Sequence, residues 1–195
     1  MKNPIKNLTK NPIKNLAYVA LATGLSVSAG AQAAPGISYN YAGLQYVDQD
    51  LDDANCDQDG LRVNGSLELN SDFFAVGYIS DVSGGRCGSE AVGVGIGYRT
   101  VFGADSSIYG TLSGEHISPD GSGSDTGLVA AIGLRGFVQN NLEARVELSH
   151  HTVYDGNTVL GGGVSYYFAP QFAVTGDVGL GSEVSELAVG VRMNF

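Results

Sequence analysis

The chain has no tryptophan, only two cysteines and five prolines among its 195 residues, and its four lysines (Lys2, Lys6, Lys10, Lys14) all fall in the first 14 positions. Two cysteines with no histidine beside them in sequence make a poor metal site. The few prolines form no linker that would divide the chain, whose length suits one domain. Beyond the lysines, six arginines face 20 acidic residues, a net charge of −14. Such a surface repels nucleic acid and anionic membrane surfaces. Long hydrophobic runs are also missing: the longest covers residues 16–27, well short of the ~20 residues a membrane-spanning helix needs.

That run has a different meaning. A basic stretch carrying KNPIKNL twice precedes it, and Ala31, Gln32 and Ala33 follow as an A-x-A pattern. Residues 1–33 therefore read as a secretory signal peptide, cleaved after Ala33 or, as second choice, after Ala31. The mature domain, 34–195, is expected in an oxidising compartment.

What is present is alternation. Strands are predicted at 37–47, 61–69, 73–81, 91–101, 107–116, 127–138, 142–153, 158–168, 172–180 and 186–195. Short turns alternate with longer loops, which puts all the turns at one end of a meander. Leu142, Ala144, Val146 and Leu148 oppose Glu143, Arg145, Glu147 and Ser149; Val92, Val94, Ile96 and Tyr98 oppose Gly93, Gly95, Gly97 and Arg99. The first strand, ISYNYAGLQYV, allows either phase or a bulge near Gly43, and Phe73–Phe74 blurs the third.

Two features separate this pattern from a soluble sandwich. The strands are longer than the usual 5–6 residues and near the 9–11 that a tilted membrane strand needs. The mid-strand charges share one face: Arg62, Arg99, Arg135, Arg145 and Arg192 with Glu68, Glu115, Glu143, Glu147 and Asp177. A lipid-facing arginine costs about 2–4 kcal/mol at the bilayer midplane, so this segregation predicts hydrocarbon outside and a polar lumen inside. Only a closed barrel lets strands cross a membrane, because an open edge leaves backbone groups unpaired in lipid. The expected fold is all-β: an antiparallel up-and-down transmembrane β-barrel of ten strands, with eight as the alternative. Phe102, Tyr109, Tyr167, Phe168, Phe172 and Phe195 gather at the short-turn end, where an aromatic girdle belongs.

The chain ends ELAVGVRMNF, with Leu187, Val189, Val191, Met193 and Phe195 at alternate places. With this ending the mature chain resembles the outer-membrane β-barrel protein family, the small OmpA/OmpX-like barrels of Gram-negative bacteria. The resemblance implies that these five residues are the signal read by the barrel-assembly machinery, after passage with periplasmic chaperones. The best-known small members have eight strands, one hairpin fewer than predicted here.

Other constellations are weaker. Cys56 and Cys87 fall in neighbouring long loops and are expected to form a disulfide, the alternative being two free thiols. Asp48, Asp50, Asp52, Asp53, Asp57 and Asp59 crowd one loop. An EF-hand frame starting at Asn55 puts Ser66 where the bidentate glutamate belongs, so the loop is either solvated or a weak surface site for divalent cations. His116 and Ser118 show the H-x-S spacing of outer-membrane lipid A deacylases, in which a glutamate completes the triad; no glutamate is read on the matching face of the sixth strand, and Glu115 is read as inward. Omptin-type proteases share the strand number, but the loops here read too short to wall their cleft. The interior charges, with room left by Gly93, Gly95, Gly97 and Gly133, are expected to pair and plug the lumen.

The sequence thus predicts an integral protein of the Gram-negative outer membrane, monomeric, without cofactor and not an enzyme. Its expected role is envelope structure or surface interaction through acidic extracellular loops, in contact with outer-membrane lipid and lipopolysaccharide. A narrow porin-like channel for small solutes is the alternative, and a lipid A-modifying enzyme the third reading.

Overall fold

The computed structural model describes residues 37–51, 56–85, 87–103 and 105–195. The predicted signal segment, with Asp52 and Asp53, lies outside them. The strands are β1 (Tyr41–Leu51), β2 (Cys56–Glu68), β3 (Phe73–Ser83), β4 (Gly88–Val101), β5 (Ser106–Pro119), β6 (Asp125–Gln139), β7 (Leu142–His151), β8 (Asn157–Ala169), β9 (Phe172–Gly181) and β10 (Val184–Asn194). Each pairs antiparallel with its sequence neighbours, and β1 pairs with β10 to close the barrel. Closure leaves no strand with a free edge, which is the condition for placing a sheet in hydrocarbon.

The side-chain faces are as strict as the alternation demands. Val94 is 69% exposed on the outer face, Ile79 64% and Leu61 55%, while buried or half-buried polar groups line the inside. A water-soluble monomer rarely exposes a contiguous apolar patch above a few hundred Å². Here the apolar belt encircles the molecule, so its favourable solvent is lipid.

The strands run further than the alternation of apolar residues suggests. β1 continues to Leu51 and β2 begins at Cys56, so most of the predicted 48–60 loop is a hairpin, with Asp48 opposite Asp59 and Asp50 opposite Asp57. β9 and β10 are joined by Ser182 and Glu183 alone, where a loop over 181–185 is predicted. Backbone ladders continue past the belt because inter-strand hydrogen bonds do not depend on side-chain polarity. The ambiguous phases resolve cleanly: Leu44 faces out while Gln45 and Val47 are buried, and Phe73 faces out while Phe74 is 2% exposed. β1 keeps register with both neighbours through Gly43. The register shifts lie instead between Phe137 and Gln139 and between Tyr167 and Ala169.

The first predicted strand starts too early. Residues 37–40 precede β1 and fold into the short-turn mouth of the barrel rather than extending its wall. Tyr39 is 3% exposed there, packed with Phe74 and Tyr109.

Candidate functional site

The inside of the barrel is organised in two storeys. At the short-turn end a floor crosses the lumen. The Tyr39 ring lies 4.4 Å from that of Phe74 and 6.2 Å from that of Tyr109, and its hydroxyl is 2.8 Å from Ser107 Oγ on β5. Arg99 and Arg135 sit over the same ring, 4.6 and 4.9 Å from its centre. The Tyr39 amide donates to Glu68 Oε1, and Arg192 Nη2 donates to the carbonyl of Ser38. A segment outside the sheet is thereby tied to β2, β3, β5 and β10.

Beside Tyr39, Glu143 joins two guanidiniums. Arg135 donates to it through Nε at 2.7 Å and Nη2 at 2.8 Å, Arg192 through Nη1 at 3.2 Å, and Tyr167 through its hydroxyl at 3.3 Å. These four side chains are all buried, so each charge depends on these partners. Arg99 pairs with Glu68 at 2.9 Å.

The glycines expected to make room for arginines make room for aromatic rings. Gly97, Gly93 and Gly133 stand directly across the ladder from Phe74, Tyr78 and Tyr109. A methyl group on Gly97 would lie 2.2 Å from the Phe74 ring, and one on Gly133 would lie 2.5 Å from that of Tyr109. Gly95 faces Ser113 and the backbone of Leu112 instead. Ring-over-glycine pairing of this kind fills a barrel wall without widening it.

Above the floor is a cavity of about 760 Å³ that reaches the loop-end residues Asp120, Tyr154 and Glu183. Its arginines are paired. Arg62 makes a two-pronged bond to Glu186 at 2.5 and 2.6 Å, and Arg145 meets Asp177 at 2.9 Å and Glu147 at 3.4 Å. Gln45 Nε2 donates to Asp177, and the Tyr109 hydroxyl to Glu147. All ten predicted lumen charges belong to these networks or to the Glu115 cluster, and Glu186 joins them. Glu186 shares the inward parity of Ala188 and Arg192 and is the first residue of the predicted strand 186–195, while β10 itself begins two residues earlier, at Val184. The Nε of Arg62, Oε1 of Gln58 and hydroxyls of Ser66 and Thr175 are buried without a partner among the described residues.

Glu115 is the buried end of a separate chain of contacts. Its Oε2 accepts from the Tyr78 hydroxyl and its Oε1 lies 3.0 Å from His151 Nδ1, whose ring presents Nε2 3.3 Å from Ser149 Oγ. His116 and Ser118 do meet on the outer face, at 3.2 Å, but the other ring nitrogen of His116 reaches Thr126 Oγ1 at 2.7 Å rather than a carboxylate.

At the loop end of the barrel Cys56 and Cys87 form the expected disulfide, with Cys87 bordering the cavity. Asp48, Asp50, Asp57 and Asp59, with Asp81 and Glu90, face outward beyond the apolar belt, and Asp59 accepts from the Tyr46 hydroxyl at 2.7 Å. Among the described residues no group of three or more potential ligands is placed to hold a metal ion.

The barrel fold is found among solved structures. An outer membrane channel from Pseudomonas putida F1 is similar over 87% of this chain and 100% of that one, with 12% identity and a TM-score of 0.52. The fold is that of an outer-membrane β-barrel. A KdgM porin matches this barrel over 78% of the chain and 99% of its own, at 14% identity and a TM-score of 0.49. Neisserial surface protein A does so over 81% and 98%, at 13% identity and 0.46. At such identities the likeness is one of fold. No protein-family model and no curated protein matches the sequence.

Proposed function

We propose that this barrel resides in the outer membrane of a Gram-negative cell, exported through a cleaved signal peptide, and serves the envelope as a closed, monomeric element. The observation that carries this reading is the floor. Tyr39, Phe74, Tyr109, Arg135, Glu143 and Arg192 are each at most 8% exposed and meet across the short-turn mouth. Ions passing there would have to displace paired buried charges, which is costly. In the proposed orientation the short turns face the periplasm. The outward carboxylates then lie at the lipopolysaccharide headgroups, and the loops carry an acidic surface outside. The terminal residues Leu187, Val189, Val191, Met193 and Phe195 continue the lipid-facing pattern of β10 to the end of the chain, consistent with recognition by the assembly machinery.

Planar-bilayer recording on refolded protein tests the reading. A closed barrel gives no steady single-channel current; a constant unitary conductance overturns the proposal. A second reading, a narrow channel for small solutes, draws on the cavity above the floor and requires the Tyr39 segment to leave its seat.

A further inference from the structure

Ser149 and His151 are alternate residues at the end of β7, so both side chains point to the lumen. Glu115 stands two strands away on β5. Between them β6 presents Gly127 opposite Glu115 and Val129 opposite His151. A methyl group on Gly127 would meet Thr152 and the backbone of Val153, so the glycine gives room to the chain that follows β7, and Glu115 reaches across the strand to the imidazole. The hydrogen bonds then fix the tautomer. An ionised carboxylate only accepts, so the His151 nitrogen facing Glu115 carries a proton, and in the neutral ring Nε2 offers its lone pair to the Ser149 hydroxyl. The outer pair at His116 lacks this constraint, because the Thr126 hydroxyl can donate or accept.

We propose that Ser149, His151 and Glu115 form a nucleophile, base and positioning carboxylate inside the barrel, competent for acyl transfer from small uncharged esters that enter through the loop end. Glu115 is 3% exposed, while His151 is 27% exposed toward the cavity that Ser149 also lines. Glu115 is thus buried behind the imidazole as a positioning group, and Ser149, 9% exposed, borders the cavity beside it, so a substrate has to reach Oγ along the edge of the His151 ring. The cavity, about 760 Å³, is of the size that holds a small organic ligand. Uncharged substrates are favoured over anionic ones, because above the floor six carboxylates line the cavity against two arginines, Arg62 and Arg145. Arg62 Nε, on the wall of the same cavity, is a buried guanidinium N–H without a partner among the described residues.

In the reaction His151 Nε2 takes the Ser149 proton as Oγ bonds to the ester carbonyl carbon. The bond from that carbon to the alcohol oxygen breaks, and the alcohol leaves with the proton from His151. Water then repeats the sequence on the acyl-serine, giving the carboxylic acid and restoring the hydroxyl, so that ester and water become acid and alcohol.

The test is labelling of the full refolded chain in detergent by a fluorophosphonate, read by intact mass and peptide mapping. Each variant is first checked for folding by its gel mobility before and after boiling. Labelling at Ser149 is expected, absent in Ser149→Ala, slowed about a hundredfold in His151→Asn and unchanged in Ser118→Ala. Glu115→Gln should slow labelling and abolish the far-downfield imidazole N–H resonance of His151, a signature that a packing role would not produce. A folded protein that takes no label at Ser149, or one labelled equally fast in His151→Asn, overturns the proposal.

Discussion

Replacing Glu143 with glutamine keeps the shape of the side chain and removes a charge that two buried guanidiniums share. In the native floor Glu143 is 3% exposed and Arg135 and Arg192 are 5% and 8% exposed, so none of the three can turn to water instead. Glutamine retains one acceptor oxygen and puts an amide N–H₂ where the other stood. That group meets either the two N–H groups on Oε1 or the Arg135 and Tyr167 donors on Oε2, so two of the four hydrogen bonds are lost whichever way the amide turns. Removing one partner from a buried ion pair costs roughly 3–5 kcal/mol, because the stranded charge stays desolvated. We expect a loss in that range, read as a lower midpoint of urea unfolding in lipid vesicles, with folded and unfolded forms separated by gel mobility. Adding Arg192→Gln removes one of the two unmatched charges. The double variant should therefore recover at least about 1 kcal/mol relative to additivity. A Glu143→Gln loss below about 1 kcal/mol, or strictly additive variants, would refute the view that the floor is held by mutually dependent charges.

Two further outcomes follow from the packing. Gly97→Ala, with its methyl aimed at the Phe74 ring, should cost about 1–3 kcal/mol by overpacking, whereas Gly114→Ala, with open space around it, should stay within about 0.5 kcal/mol; vesicle unfolding compares the two. Cys56→Ser/Cys87→Ser opens a bridge between residues 31 apart and should cost about 3–4 kcal/mol on the chain-entropy model, a difference that a reductant should reproduce in the native protein.

The sequence carried the architecture because one face of nearly every hairpin was uniform. β4, with Val92, Val94 and Ile96 against Gly93, Gly95 and Gly97, and β7 leave no doubt of phase. β1 hid its phase because its tyrosines serve both faces: Tyr41 inside the lumen, Tyr46 outside against Asp59. Tyr39 was illegible for a different reason. A residue that precedes a strand and turns into the lumen extends the same alternation as one that continues the strand, and its partners are Phe74, Ser107 and Arg135, far along the chain. The inward charges could be read as a set, but not their pairing. Arg62 finds Glu186 across 124 residues, because closure of β1 on β10 brings the two ends of the chain together. Ser149 and His151 were visible as neighbours, while Glu115 lies 36 residues from His151 and depends on the β5–β6–β7 register. In principle, the S-x-H spacing on an inward face was the available signal.

The claim under all of this is that hydrocarbon bathes the outer apolar belt, and the absence of tryptophan makes it directly measurable. Val94, 69% exposed near the middle of β4, can be replaced by tryptophan as the sole indole in the protein. Refolded into vesicles whose acyl chains carry bromine, Val94→Trp should show blue-shifted emission that the bromine strongly quenches. Emission that the brominated lipids leave untouched would contradict the account.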